Sequence, residues 1–83
     1  MYGLVYSQVA LKQLEKLPQQ IQQRILIALE RLRIRPESND IKKLVGIPGY
    51  RFRVGDYRII FDFNKKELHI FILQLGHRKN IYD

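Results

Sequence analysis

Arg51, Arg53 and Arg58 lie on either side of a Gly55-Asp56 pair, and His77, Arg78 and Tyr82 stand close together at the end of an 83-residue sequence. Arginine presents a rigid fork of N–H donors that matches phosphate oxygens, and it stays protonated at any ordinary pH. A set of three therefore suits a phosphoryl group, while none of them is a good proton carrier. His77 titrates near neutrality, and Tyr82 supplies an ionisable hydroxyl together with a ring face on which a base can stack. Arg78 adds a further phosphate ligand. Residue types alone leave a second reading open, in which the arginines splay into water, His77 is an exposed residue after a strand and Tyr82 is an apolar anchor.

Missing groups narrow the chemistry. The chain has no Cys, which excludes disulfides, cysteine-ligated zinc, iron–sulfur clusters and thiol catalysis. Asp56, Asp62 and Glu67 are dispersed around turn sequences and form no carboxylate cluster for Mg²⁺. There is no phosphate-binding glycine loop and no nucleophile motif, so neither a metal nor a cofactor is expected. If this set cuts RNA, the natural route is attack of the substrate's own 2′-OH on the adjacent phosphate. Arginines would stabilise the developing charge, and one or two titratable groups would move protons.

The elements that must position these residues follow from periodicity. Met1–Tyr6 reads as a strand, and Ser7 as the N-cap of a short helix carrying Ala10, Leu14 and Leu17. Pro18 fits the first turn of a second helix, whose apolar stripe is Ile21, Ile25, Ala28, Leu29 and Leu32. A loop over Arg35–Asp40 ends it. After Lys43 the period changes to two: Tyr50, Phe52 and Val54, then Tyr57, Ile59, Phe61 and Phe63 on one face. Gly55-Asp56 closes that hairpin, and Asn64–Glu67 is a second turn before a strand over Leu68–Leu75. Gly76 breaks this strand and a polar tail follows. The order is β-α-α-β-β-β, an α+β domain with a helical hairpin packed on one face of an antiparallel sheet.

Pairing Val54 with Tyr57 places Arg53 opposite Arg58 and Arg51 opposite Ile60, and core residues meet core residues throughout. Like charges so placed destabilise a sheet by some tenths of a kcal/mol, which a bound phosphate would relieve. The same reading puts His69 opposite Asp62 as a structural pair. It also puts Ile60, Phe71 and Leu73 beside the arginines, a mixture that suits a protein interface. The net charge of +7 is uneven: residues 1–41 hold six basic and four acidic side chains, residues 42–83 nine and four. The N-terminus lacks a signal-peptide pattern and no apolar run approaches the roughly 20 residues of a membrane span, so a cytoplasmic protein without membrane contact is expected.

The segments Lys43–Phe61 and Leu75–Tyr82 resemble the RelE/ParE-type toxins of toxin–antitoxin systems. The resemblance rests on a K-L-x-G start, a Y-R-x-R-x-G-x-Y-R hairpin and a G-H-R-x-x-x-Y tail. It implies a single toxin domain over residues 1–83 with the RelE-like fold, silenced by a cognate antitoxin. For RelE-like members it implies a metal-independent mRNA endonuclease acting in the ribosomal A site and leaving a 2′,3′-cyclic phosphate. ParE-like members share the fold and target DNA gyrase. By position, Arg58 and Arg78 match the family's phosphate-stabilising arginines, and Tyr82 its C-terminal catalytic or base-stacking tyrosine. Arg51 and Arg53 stand where the nucleases commonly carry lysines, one of them the proposed general base. Arginine is a worse base, so the proton-transfer role passes to His77. Arg51, Arg53 and Lys79 are the expected RNA phosphate contacts, and the longer C-terminal helix of some relatives is not expected.

Overall fold

The computed structural model describes residues 1–36 and 41–81. Its elements are β1 (Gly3–Tyr6), α1 (Gln8–Glu15), α2 (Gln19–Ile34), β2 (Ile41–Lys43), β3 (Tyr50–Val54), β4 (Tyr57–Asn64) and β5 (His69–His77). The strands form one sheet in the order β1-β5-β4-β3-β2. The α+β arrangement with two helices on one sheet face is as expected, with two differences. Ile41–Lys43 adds a fifth strand, antiparallel to β3. The sheet is also mixed, because β1 pairs with β5 in parallel. Three residues are too few to display alternation, and parallel partners share no turn that could announce their pairing.

Local signals set the helices. The Ser7 Oγ accepts the Ala10 N–H at 3.0 Å and donates to the Leu73 carbonyl at 2.7 Å, so one hydroxyl caps α1 and ties it to β5. Pro18 is the N-cap of α2 rather than its first helical residue, and its carbonyl accepts the Gln22 N–H. The apolar stripe is turned to the sheet as its spacing requires. Ile25, Leu29 and Leu32 are fully buried with Ala10 and Leu14 against Phe52, Ile59, Phe61, Ile70, Ile72 and Leu75. Each such Ile or Leu contributes about 1.5–3 kcal/mol by leaving water.

The β3–β4 register is the expected one, from Val54↔Tyr57 through Arg53↔Arg58 to Arg51↔Ile60. Gly55 has a φ of +59° while Asp56 does not enter the left-handed region, the arrangement of a type II′ turn with Gly first. The β4–β5 register departs from expectation. Leu68 takes the left-handed φ of +57° and belongs to the turn, so β5 starts at His69. His69 then faces Asn64, and Asp62 faces Phe71; His69 instead lies 3.5 Å from the Glu67 carboxylate. Farther along, Phe61 pairs with Ile72 but Ile60 with Gln74, leaving Leu73 as the extra residue of a bulge. One inserted residue switches every later side chain to the opposite face. The buried positions are therefore Ile70, Ile72 and then Leu75, with Gln74 exposed. The strand also runs on through Gly76 to His77, where a break was expected.

Candidate functional site

The sheet face away from the helices carries the arginines in two cross-strand rows. Lys42, Arg51, Ile60 and Gln74 form one, and Arg53, Arg58 and Gly76 the other. Lys42 is a site-face cation that sequence reasoning missed, because it lies on the unrecognised β2 and only its Lys-Lys context marks it. Arg58 is the centre of the second row and only 8% exposed. Its Nη1 donates to the Gly55 and Tyr57 carbonyls, both at 3.1 Å, which holds the guanidinium against the turn. Its Nε is buried and has no hydrogen-bond partner among the described residues. A buried charged donor left unmatched costs about 1–3 kcal/mol or more, and the large majority of buried polar groups in native structures are paired.

The turn organises more than Arg58. The Asp56 carbonyl accepts the Arg78 N–H at 2.7 Å, and the Asp56 carboxylate lies 4.0 Å from the Arg78 Nε. Arg24 comes from α2 to the same place: a Cβ on Gly55 would lie 2.8 Å from its Nη2. Arginines from α2, β4 and the segment after β5 thus converge on two residues. Gly76 has its own steric role. A Cβ there would lie 3.1 Å from Ile81 Cγ1, so its absence lets buried Ile81 fold back onto the strand.

His77 is not brought to the arginines. The bulge places it opposite Tyr57, on the helix side, with the two rings edge to face at 5.4 Å. It lines a cavity of about 290 Å³ with Gln13, Lys16, Leu17, Leu75 and Ile81. Its Nδ1 accepts the Lys79 N–H at 3.2 Å, which leaves Nε2 as the N–H donor of the neutral ring. Without the Leu73 bulge, His77 would share the face of Arg58. Lys79 is exposed, while Tyr82 lies outside the described residues. The expected apolar patch beside the arginines is reduced as well: Ile60 is buried, Phe71 half-buried, and Leu73 is the exposed residue of the three. Among the described residues no group of three or more His, Cys, Asp or Glu side chains is placed to hold a metal ion. No helix among them is long and apolar enough to cross a membrane.

A basic sheet face with a buried arginine at a hairpin turn marks this small α+β protein. Comparison with known proteins says which one in kind: residues 4–82 match the family model of the ParE toxin of type II toxin–antitoxin systems, parDE. Toxin RelE3 of Methanocaldococcus jannaschii is 34% identical over 85 residues, covering 96% of this chain and 94% of that protein. The RelE of the archaeal RelE–RelB complex from Pyrococcus horikoshii OT3 is 34% identical with a TM-score of 0.80, covering 96% of this chain and 98% of that one. In the intact Escherichia coli RelBE toxin–antitoxin complex the matching chain has a TM-score of 0.81 at 22% identity, over 93% and 96% of the two chains, a likeness of fold. The chain belongs to the RelE/ParE family of type II toxin–antitoxin toxins.

Proposed function

We propose that this toxin is a ribosome-dependent mRNA endonuclease, neutralised by a cognate antitoxin. The observation that carries the reading is Arg58, buried on the cationic sheet face with an Nε donor that finds no partner among the described residues. A scissile phosphate bound there would accept that donor and relieve the facing of Arg53 and Arg58 at once. In the reaction the substrate's 2′-hydroxyl gives up its proton and its oxygen attacks the adjacent phosphorus, the bond to the 5′-oxygen breaks and that oxygen takes up a proton, and a 2′,3′-cyclic phosphate and a 5′-hydroxyl remain. Arg58 and Arg78 stabilise the charge on the non-bridging oxygens, and Arg51, Arg53 and Lys79 hold flanking phosphates. Tyr82 takes the catalytic or base-stacking part that the family resemblance implies. His77, opposite Tyr57 on the helix side of the sheet, is the proposed proton-transfer group, and His77→Ala should slow cleavage if it has that part.

The antitoxin is supported by the RelE–RelB assemblies among the solved relatives. Mapping of mRNA ends in a purified translation reaction tests the reading. Truncated message with cyclic phosphate ends, present with ribosomes, lost in Arg58→Met and insensitive to a chelator, is the expected result. The matching family model names ParE, which favours a second reading as a gyrase inhibitor. Intact message together with accumulated gyrase-cleaved DNA would replace the first reading by the second.

A further inference from the structure

Four successive backbone N–H groups tie down the segment that follows β5. The Arg78 N–H donates to the Asp56 carbonyl at 2.7 Å, and the Lys79 N–H to the His77 Nδ1 at 3.2 Å. The Asn80 and Ile81 N–H groups both donate to the His77 carbonyl, at 2.8 and 3.1 Å. The backbone thus turns back on itself, and the Ile81 side chain, 6% exposed, returns to Gly76. The fit there is close, because a Cβ on Gly76 would lie 3.1 Å from Ile81 Cγ1 and 3.2 Å from its Cδ1. Segments outside a sheet fray unless something anchors them. Here the anchor is one aliphatic side chain, and what it holds is cationic: Arg78, Lys79 and Asn80 are all exposed between His77 and Ile81.

The same turn seats two arginines. The Gly55 carbonyl accepts the Arg58 Nη1, and the next carbonyl, that of Asp56, accepts the Arg78 N–H. Arg58 is thus placed by its side chain and Arg78 by its backbone. The Arg78 side chain is 58% exposed, so its position depends on the backbone beneath it. We propose that Ile81 is a positioning residue: seated against Gly76, it holds the 78–80 turn at Asp56 so that the Arg78 guanidinium meets the same phosphate as Arg58. This role rests on the phosphate site of the function proposed above.

Binding of inorganic phosphate to the full chain, followed by its amide resonances, tests the role. Ile81→Ala should weaken phosphate about three-fold or more, and Ile81→Val should restore affinity to within about two-fold. Gly76→Ala reads the same contact from its other side and should weaken phosphate as well, which keeps the test open should Ile81→Ala fail to fold. Arg78→Ala should cost about ten-fold, and in that background Ile81→Ala should cost nothing further, because its effect passes through Arg78. Leu14→Ala, which also removes a buried side chain, controls for general loosening and should leave affinity within about two-fold. In cleavage, Ile81→Ala should lower kcat and leave KM for ribosomes within about two-fold. Equal losses from Ile81→Ala with and without Arg78, a loss shared by Leu14→Ala, or no loss at all would overturn the positioning role. If phosphate binding follows the expected pattern while the unaltered protein leaves message intact, the nuclease reading fails and the positioning role stands. If message is cut and Ile81→Ala cuts it as fast, the nuclease reading stands and the positioning role fails.

Discussion

Replacing Arg58 by Met asks whether the buried guanidinium serves the fold or the reaction. Met replaces the unbranched stem of Arg with a flexible apolar chain that carries no donor. The change removes the unmatched Nε, worth about 1–3 kcal/mol, and the facing of Arg53 by a like charge, worth some tenths. Against this, the two bonds from Nη1 to the Gly55 and Tyr57 carbonyls are lost, at roughly 0.5–1.5 kcal/mol each or more for a charged donor. These opposing contributions nearly cancel, so Arg58→Met should leave stability within about 1 kcal/mol, a shift of roughly 4–8 °C at most for a domain of this size. mRNA cleavage should nevertheless be abolished. Inorganic phosphate supplies a second arm. At a concentration 100 times its dissociation constant it would stabilise the unaltered protein by about 2.7 kcal/mol, and it should leave the Met variant unmoved. Denaturant unfolding with and without phosphate, beside a cleavage assay, reads both arms. A loss of more than about 3 kcal/mol in the Met variant, or an equal response of both proteins to phosphate, would mean that Arg58 is a structural residue and would refute the reasoning.

Other substitutions probe the supports of the site. Gly55→Ala must hold a left-handed φ and place a methyl against Arg24, so it should cost about 1–2 kcal/mol in chemical denaturation and lower cleavage by displacing Arg58. Ile59→Ala removes a fully buried side chain on the helix side of β4, and a loss of about 2–5 kcal/mol is expected, visible as a lower denaturation midpoint with an unchanged slope. Ser7→Ala deletes the α1 cap and should cost about 1 kcal/mol, measured the same way. Tyr6 is held above its ordinary pKa of about 10, first by burial and then by Glu30, with Arg33 opposing. The folded state thus binds this proton more tightly than the unfolded chain, so its contribution is complete below about pH 10 and is lost as pH rises through the raised value. Tyr6→Phe should flatten that part of the alkaline stability profile, and an unchanged slope would exclude Tyr6 as its source.

Alternation and turn chemistry in the sequence by themselves determined the helix stripes, the Gly55-Asp56 hairpin and the facing of Arg53 and Arg58, because each depends on residues a few positions apart. They also determined which face of β3 and β4 enters the core. Other features depend on groups distant in the chain. The parallel seat of β1 on β5 and the short β2 arise from pairings that no local turn encodes. The bulge at Leu73 answers to the packing of Leu75 rather than Gln74 against the helices, with Gln13 Oε1 accepting the Leu75 N–H at 2.8 Å. That one residue also sets where His77 stands, on the sheet face of Tyr57 rather than that of Arg53 and Arg58. Residue types determined that one face of the sheet would be basic. Only the tertiary structure decided that Arg58 would be buried there, because burial is a property of what folds over a side chain and not of its neighbours in sequence.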